Sequence, residues 1–132
     1  MINENRLYKD ITGMEKILSI HPQFSWKKIK YIEAFNYYID LNEFGERSSY
    51  LKILFGLELS NHGLMKACFK FNGINNLIMR SIGGKYNQIM GFEIIDRLFL
   101  GWDLEQRYLV RDYENGTIEF SCKAIELLQV DI

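Results

Sequence analysis

Scarcity is the first feature of this sequence. Its 132 residues hold one proline, two cysteines and two histidines. His21 and His62 are far apart, and no His-x-His or Cys-x-x-Cys pattern accompanies them, so the ligand sets of zinc sites are missing. Cys68 and Cys122 lack the density of a disulfide scaffold, and reduced thiols in a cytoplasmic protein are the expectation. No segment approaches the ~20 uninterrupted apolar residues of a membrane-spanning helix. The opening MINENRLYKD has no apolar run suited to a signal peptide or anchor. With no Ser/Pro-rich stretch and no charge block there is no linker either. One domain over 1–132 is expected, with an N-terminal arm (1–11), a helix (12–20) and a β-rich body (27–130).

Charge of one sign is also lacking: the formal net charge is -1. Bases could stack on Trp26, Phe35, Tyr37 or Tyr38, but the positive charge that supplies most nucleic-acid affinity is absent. Neither nucleic acid nor an anionic membrane is favoured as a partner. The charges are unevenly spread. Residues 61–90 carry Lys66, Lys70, Arg80 and Lys85 and no acid. Residues 91–132 carry nine acids against four bases. Either opposite charges pair across a sheet, or the acids form a partner-binding face.

What the chain does have is aromatic residues, 14% of the total, and these suit a pleated surface. One helix signal stands near the start, where Thr12-Gly-Met-Glu15 reads as a capping box followed by Met14, Ile17 and Leu18 on one face. His21-Pro22 ends it. From residue 29 the period becomes two. Ile29, Tyr31, Phe35, Tyr37, Ile39 and Leu41 form an apolar row broken only by Glu33. Leu51 to Leu59 and Met65 to Phe71 repeat the alternation after turn-like stretches at 42–49 and 60–63. Phe71-Asn-Gly-Ile74 predicts a tight hairpin to a strand at 75–82. Strands follow at 89–100, 106–113 and 118–124, with a second Asn-Gly turn at 115–116. The phase slips near Ala124-Ile125, which predicts a bulge before the last strand. The fold class is therefore mainly β: an antiparallel sandwich or curled sheet of about seven or eight strands with a short N-terminal helix.

Few motifs carry chemistry. In Ser-Ile-Gly-Gly-Lys-Tyr-Asn-Gln (81–88), Gly84-Lys85 is followed by Tyr86 and by a strand, which excludes a phosphate-binding P-loop. The stretch reads as a connection in which Gly83 and Gly84 take positive φ while Asn87 and Gln88 bond the turn backbone. Cys68 shares its phase with Lys66 and Lys70, so it faces away from the core, where a lysine could lower its pKa. Cys122 reads as core. Asp96, Asp103, Glu105, Asp112 and Glu114 offer carboxylates, but a glycosidase needs two held across a cleft, and a small sheet offers little cleft.

The stretches MKACFKFNGINNLIMRSIGGKYNQIMGFEI and YLVRDYENGTIEFSCKAIELLQV resemble small bacterial polymorphic-toxin immunity proteins of the immunity-protein-50 kind. The matching positions include Phe71, Gly73, Ile74, Leu77, Asn87, Gln88, Gly91, Phe92, Ile94, Phe120, Cys122, Ile125 and Val130, and the resemblance covers roughly residues 18 to 130. It departs after Pro22-Gln23-Phe24, where that family tends to carry His-Asp and this chain has Ser25-Trp26. No catalytic or metal role is carried over, and no cofactor is implied. The resemblance implies a non-catalytic immunity protein that binds a cognate toxin domain, as a monomer or homodimer. An acidic, aromatic face would fill the toxin's basic cleft, with Trp102, Asp103, Glu105, Asp112, Tyr113 and Glu114 as the candidate contacts. The alternatives are a general interaction or self-associating module and, further off, a small-ligand carrier or an enzyme.

Overall fold

A computed structural model describes residues 7–59, 63–101 and 103–131. Its body is mainly β, with eight antiparallel strands in two four-stranded sheets that do not close into a barrel. The strands are β1 (Ile29–Leu41), β2 (Arg47–Leu59), β3 (Gly63–Asn72), β4 (Asn75–Met79), β5 (Phe92–Asp96), β6 (Tyr108–Asp112), β7 (Ile118–Cys122) and β8 (Ala124–Asp131). The first sheet runs β1-β2-β3-β8 and the second β4-β7-β6-β5. Their inner faces meet through aromatic contacts. Phe55 on β2 lies 5.1 Å from Phe92 on β5, and Phe71 on β3 lies 4.9 Å from Phe120 on β7, ring centre to ring centre. Trp26 sits edge-on to Tyr8, Phe24, Phe69 and Phe92 and plugs one end of this interior. Of the pair Ser25-Trp26, Trp26 thus belongs to the core and Ser25 is half-buried beside it.

The alternation read from residue 29 onward builds the first sheet. Leu51, Ile53, Phe55, Leu57 and Leu59 of β2 and Met65, Ala67, Phe69 and Phe71 of β3 all point inward and are fully buried. Opposite charges do meet across strands. Lys66 lies opposite Asp131 and Lys70 opposite Glu126 in the β3–β8 ladder. In the second sheet Arg111 reaches Glu93 at 2.6 Å and Arg107 reaches Asp96 at 2.7 Å.

Several expectations are corrected. Thr12 does not cap the helix. The helix α1 spans only Glu15–Leu18, with Met14 at its N-cap position and no side-chain cap bond. The Thr12 carbonyl instead accepts from Leu127 N at 2.7 Å, tying the N-terminal segment to β8. Leu7, Tyr8 and Ile11, within the expected polar arm, are buried in the core. Asn72-Gly73 is not a hairpin turn. It is a corner, and β4 leaves β3 to pair with β7 in the other sheet. The Ser49 hydroxyl holds that corner, accepting from Ile74 N (2.7 Å) and donating to Ile74 O (3.1 Å). The phase slip near Ala124 is likewise a change of sheet at Lys123, between β7 and β8. The strand expected at 89–100 stops at Asp96, because the buried Arg97 turns inward to donate to Gln106 O (2.5 Å) and Ser121 Oγ (2.9 Å). A 3-10 turn, Leu98–Leu100, follows. The turn expected at 60–63 falls mostly outside the described residues.

β1 departs furthest from a simple row. Its register against β2 slips twice, between Ile29 and Tyr31 and between Ile32 and Ala34. Each slip inserts one residue and reverses the facing of the residues after it. Ile29 and Ile32 therefore both point into the core, while Tyr31 turns to the outer face, and its hydroxyl donates to Glu58 Oε1 at 3.4 Å. Past the second slip, Phe35 lies opposite Ile53 and Tyr37 opposite Leu51, which places them on the inward side. Yet Phe35, Tyr37, Ile39 and Leu41 are 46–61% exposed.

Candidate functional site

The residues singled out in the C-terminal half separate into two groups. Trp102 lies outside the described residues. Asp103 and Glu105 sit beyond the Asp96–Tyr108 end of the β5–β6 ladder. Asp112, Tyr113 and Glu114 sit at its Phe92 end, about 14 Å away at ~3.4 Å per residue over four residues. In the first group, Asp103 accepts from Glu105 N at 3.0 Å and caps the 3-10 turn Leu104–Gln106. Glu105 lies 3.4 Å from Lys123, with both side chains well exposed.

In the second group Asp112 is 2% exposed and anchors the β6–β7 turn. It accepts from the backbone N–H groups of Gly91 (3.0 Å), Glu114 (3.2 Å), Asn115 (3.3 Å) and Thr117 (3.4 Å). Burial pushes its carboxyl upward, but the Thr117 hydroxyl and the N–H donors outweigh burial and hold it below the ordinary carboxylate range. Asp112 is thus a buried structural acceptor. Tyr113 and Glu114 are exposed and fold over Gly91, where an added Cβ would come within 2.8 Å of the tyrosine ring. Of the candidates, Tyr113, Glu114, Asp103 and Glu105 face solvent, in two separate places.

The cysteines and the loop at 81–88 resolve in the same way. Cys68 is half-buried on the outer face. Burial raises its pKa, and the opposing pull of Lys52 does not offset it. Cys122 is fully buried, and burial pushes its thiol up, against the pull of Arg97. Burial likewise raises the Tyr108 phenol to about 12 despite Arg107 beside it. Among the described residues, no group of three or more His, Cys, Asp and Glu side chains is placed to hold a metal ion, and no helix is long and apolar enough to cross a membrane. An open groove of about 670 Å³ lies between Tyr31, Tyr86, Glu33, Glu58 and Lys28 on the outer face. In the loop, Gly83 and Gly84 have φ of 146° and 74°. Asn87 Oδ1 accepts from Gly83 N at 2.8 Å, which is the amide fastening read from the sequence. Gln88 instead lies opposite Tyr31 in a bridge whose backbone bonds are made by its neighbours Asn87 and Ile89. The loop does one thing more. It lies along the free edge of β1, with Ile32 N donating to Asn87 O (2.9 Å), Ile89 N to Lys30 O (2.7 Å) and Asn87 Nδ2 to Ile32 O (3.2 Å).

Beyond Ile32 that edge is open. Among the described residues no strand or loop pairs with β1 on this side from Ala34 to Leu41. The inward row Phe35, Tyr37, Ile39 and Leu41 lies along the same open edge, and Phe44 follows at the hairpin tip, 76% exposed. Taking ~200 Å² for a whole large side chain, the four row residues leave roughly 400 Å² of apolar surface uncovered, the size of patch that on a monomer is often functional. Exposed edges are ordinarily blunted by lysine, proline or a short strand. Here residues 31–46 contain no Lys, Arg or Pro, and the acids Glu33, Asp40, Glu43 and Glu46 are their only charges. On the outer face Tyr38 stacks on Tyr50 at 5.3 Å. Sequence reading missed this surface because the alternation is that of a buried row. The missing lysine and proline were visible, but they carry meaning only once β1 is known to be an edge.

Compared with protein families, with curated proteins and with solved structures, the chain matches none. The family resemblance rests on turn and core residues such as Gly73, Asn87, Phe120 and Cys122.

Proposed function

We propose that this chain is a non-catalytic protein-binding module that neutralises a cognate bacterial toxin domain by occupying its surface. The observation that carries the reading is the uncovered row Phe35, Tyr37, Ile39 and Leu41 beside an unpaired strand edge. Aromatic side chains bury much area at low entropic cost and commonly supply the anchors of protein interfaces. The interior supports the same reading, since the inner faces of both sheets are filled by interlocked aromatic and aliphatic side chains. The choice of a toxin as the partner comes from the family resemblance. Tyr113 and Glu114 form a second exposed cluster that could extend the contact.

The test is co-expression with any toxin-like domain found encoded beside this gene. The expected result is restored growth and co-purification of the two proteins. With Tyr37→Asp and Ile39→Asp together, protection is lost while the chain stays folded. Absence of protection and of complex with the unaltered chain overturns the reading.

A further inference from the structure

We infer that the open edge of β1 takes up an extended segment of a partner protein as an added strand, one that alternates apolar with basic residues. The inference deepens the binding role proposed for this chain and rests on it.

The edge geometry sets what can bind. Ile32 points its N–H outward, toward Asn87, and in an antiparallel ladder outward-facing residues recur at every second pair. Ile32 is opposite Phe55, so the next outward-facing residues are those opposite Ile53, Leu51 and Ser49, namely Phe35, Tyr37 and Ile39. The residues that expose apolar side chains therefore also offer the unpaired N–H and C=O groups. An added strand satisfies both at once. It completes the hydrogen-bond ladder and lays its own alternate side chains beside Phe35, Tyr37 and Ile39. The loop at Asn87–Ile89 already does this for the first part of β1, and so shows that the edge accepts a neighbour.

Charge selects the occupant. Glu33, Asp40, Glu43 and Glu46 are the only charged residues between 31 and 46. Of the nearest cations, Lys30 lies in the part of β1 whose edge the loop at Asn87–Ile89 already covers. Arg47 and Lys52 belong to β2, on the far side of β1 from the open edge, with the Lys52 ammonium over the Tyr38 ring on the outer face. The open part of a second copy of β1 would bring acids and no cation to this edge, and so no complementary charge. A segment with lysine or arginine between its apolar residues meets complementary charge and gains in association rate as well. Addition of a strand to a sheet edge, with backbone bonds for affinity and alternate side chains for specificity, is an established mode of peptide recognition.

The test uses the full chain and a nine-residue peptide alternating lysine with valine or phenylalanine, blocked at both ends and followed by fluorescence anisotropy. Binding is expected, weakening at least tenfold when glutamate replaces lysine, and reversing that preference in an Asp40→Lys, Glu43→Lys variant. Methylating the backbone nitrogens of one alternate set of peptide residues should abolish binding, and methylating the other set should leave it intact. The sensitive set then reports the orientation of the added strand. Equal effects of the two methylation sets, or no preference for lysine over glutamate, overturn the inference. So does a dimer in sedimentation that Tyr37→Lys disperses, because a second copy would then be the occupant. If the toxin domain is neutralised but the peptide fails these criteria, the edge assignment falls and the neutralising role stands. If the peptide meets them and no toxin is neutralised, the reverse holds.

Discussion

The two parts of β1 are made of similar residues and end in different surroundings. Between Ile29 and Ile32 the strand is covered from three sides: β2 pairs with it, the core receives Ile29 and Ile32, and the loop at Asn87–Ile89 closes its edge. Between Phe35 and Leu41 it has β2 alone. Width and length both contribute to the difference. Phe35 and Tyr37 lie opposite Ile53 and Leu51, which are fully buried, so the interior reaches β2 at this level and stops short of the edge strand beside it. β1 and β2 have 13 residues each and reach about 44 Å at ~3.4 Å per residue, whereas β4, β5, β6 and β7 have five residues and reach about 17 Å. Ile39 and Leu41, opposite Ser49 and Arg47, run past the buried part of β2 as well. Apolar alternation thus marks which side chains share a face, while the extent of the opposing layer decides whether that face is dry.

The largest expected effect separates the two parts directly. Ile32→Asp places an unpaired carboxylate in the core and should cost more than about 4 kcal/mol, enough to unfold much of the population. Ile39→Asp, the same change on the uncovered part, should shift stability by less than about 1 kcal/mol. Urea denaturation of both variants checks the pair, and equal losses would mean that the far part of β1 is covered after all.

A smaller effect concerns the cover itself. Asn87→Ala removes both the acceptor for Gly83 N–H and the donor to Ile32 O, and should cost about 1–2 kcal/mol for a partly buried pair. Hydrogen exchange at Ile32 and Ile89 should quicken, toward the rates of the open edge at Phe35 and Tyr37. If those two amides stay protected, the side chain of Asn87 is not what seats the loop.

The smallest effect uses a region remote from β1 as its control. The Asp112 carboxyl is held below its unfolded value of about 3.9. A depressed folded value means that its contribution is fully present above about pH 4 and disappears as pH falls through the folded value. Stability should therefore decline on acidification below pH 4, and Asp112→Asn should flatten that part of the profile. In hydrogen exchange the loosening should begin at the turn 112–117, without change at β1.

The parts of this molecule that were legible beforehand are those set by neighbours in sequence. The inward residues of β2 and β3, the turn at Asn42–Glu46 and the asparagine that fastens the loop at 81–88 all follow from period, turn chemistry and local hydrogen bonding. The pairing of Lys66 and Lys70 with Asp131 and Glu126 was foreseen in kind, as charge matching across strands. Three features were not legible, for one reason. Asn72-Gly73 can close a hairpin or turn a corner, a phase slip can be a bulge or a change of sheet, and Asp112 in a turn can face solvent or fold inward. Each pair of outcomes looks the same locally, and the choice depends on which strand lies alongside.

Composition, alternation and turn residues were sufficient for a mainly antiparallel β body with a short helix at its start, because side-chain facing in a strand has a strict period and turns need particular backbone angles. Which strands share a sheet, where the register of β1 slips, and which apolar row is left without a covering layer were decided only when distant segments met. Burial belongs to the opposing surface as much as to the residue, and no stretch of chain carries a record of how far its neighbour extends.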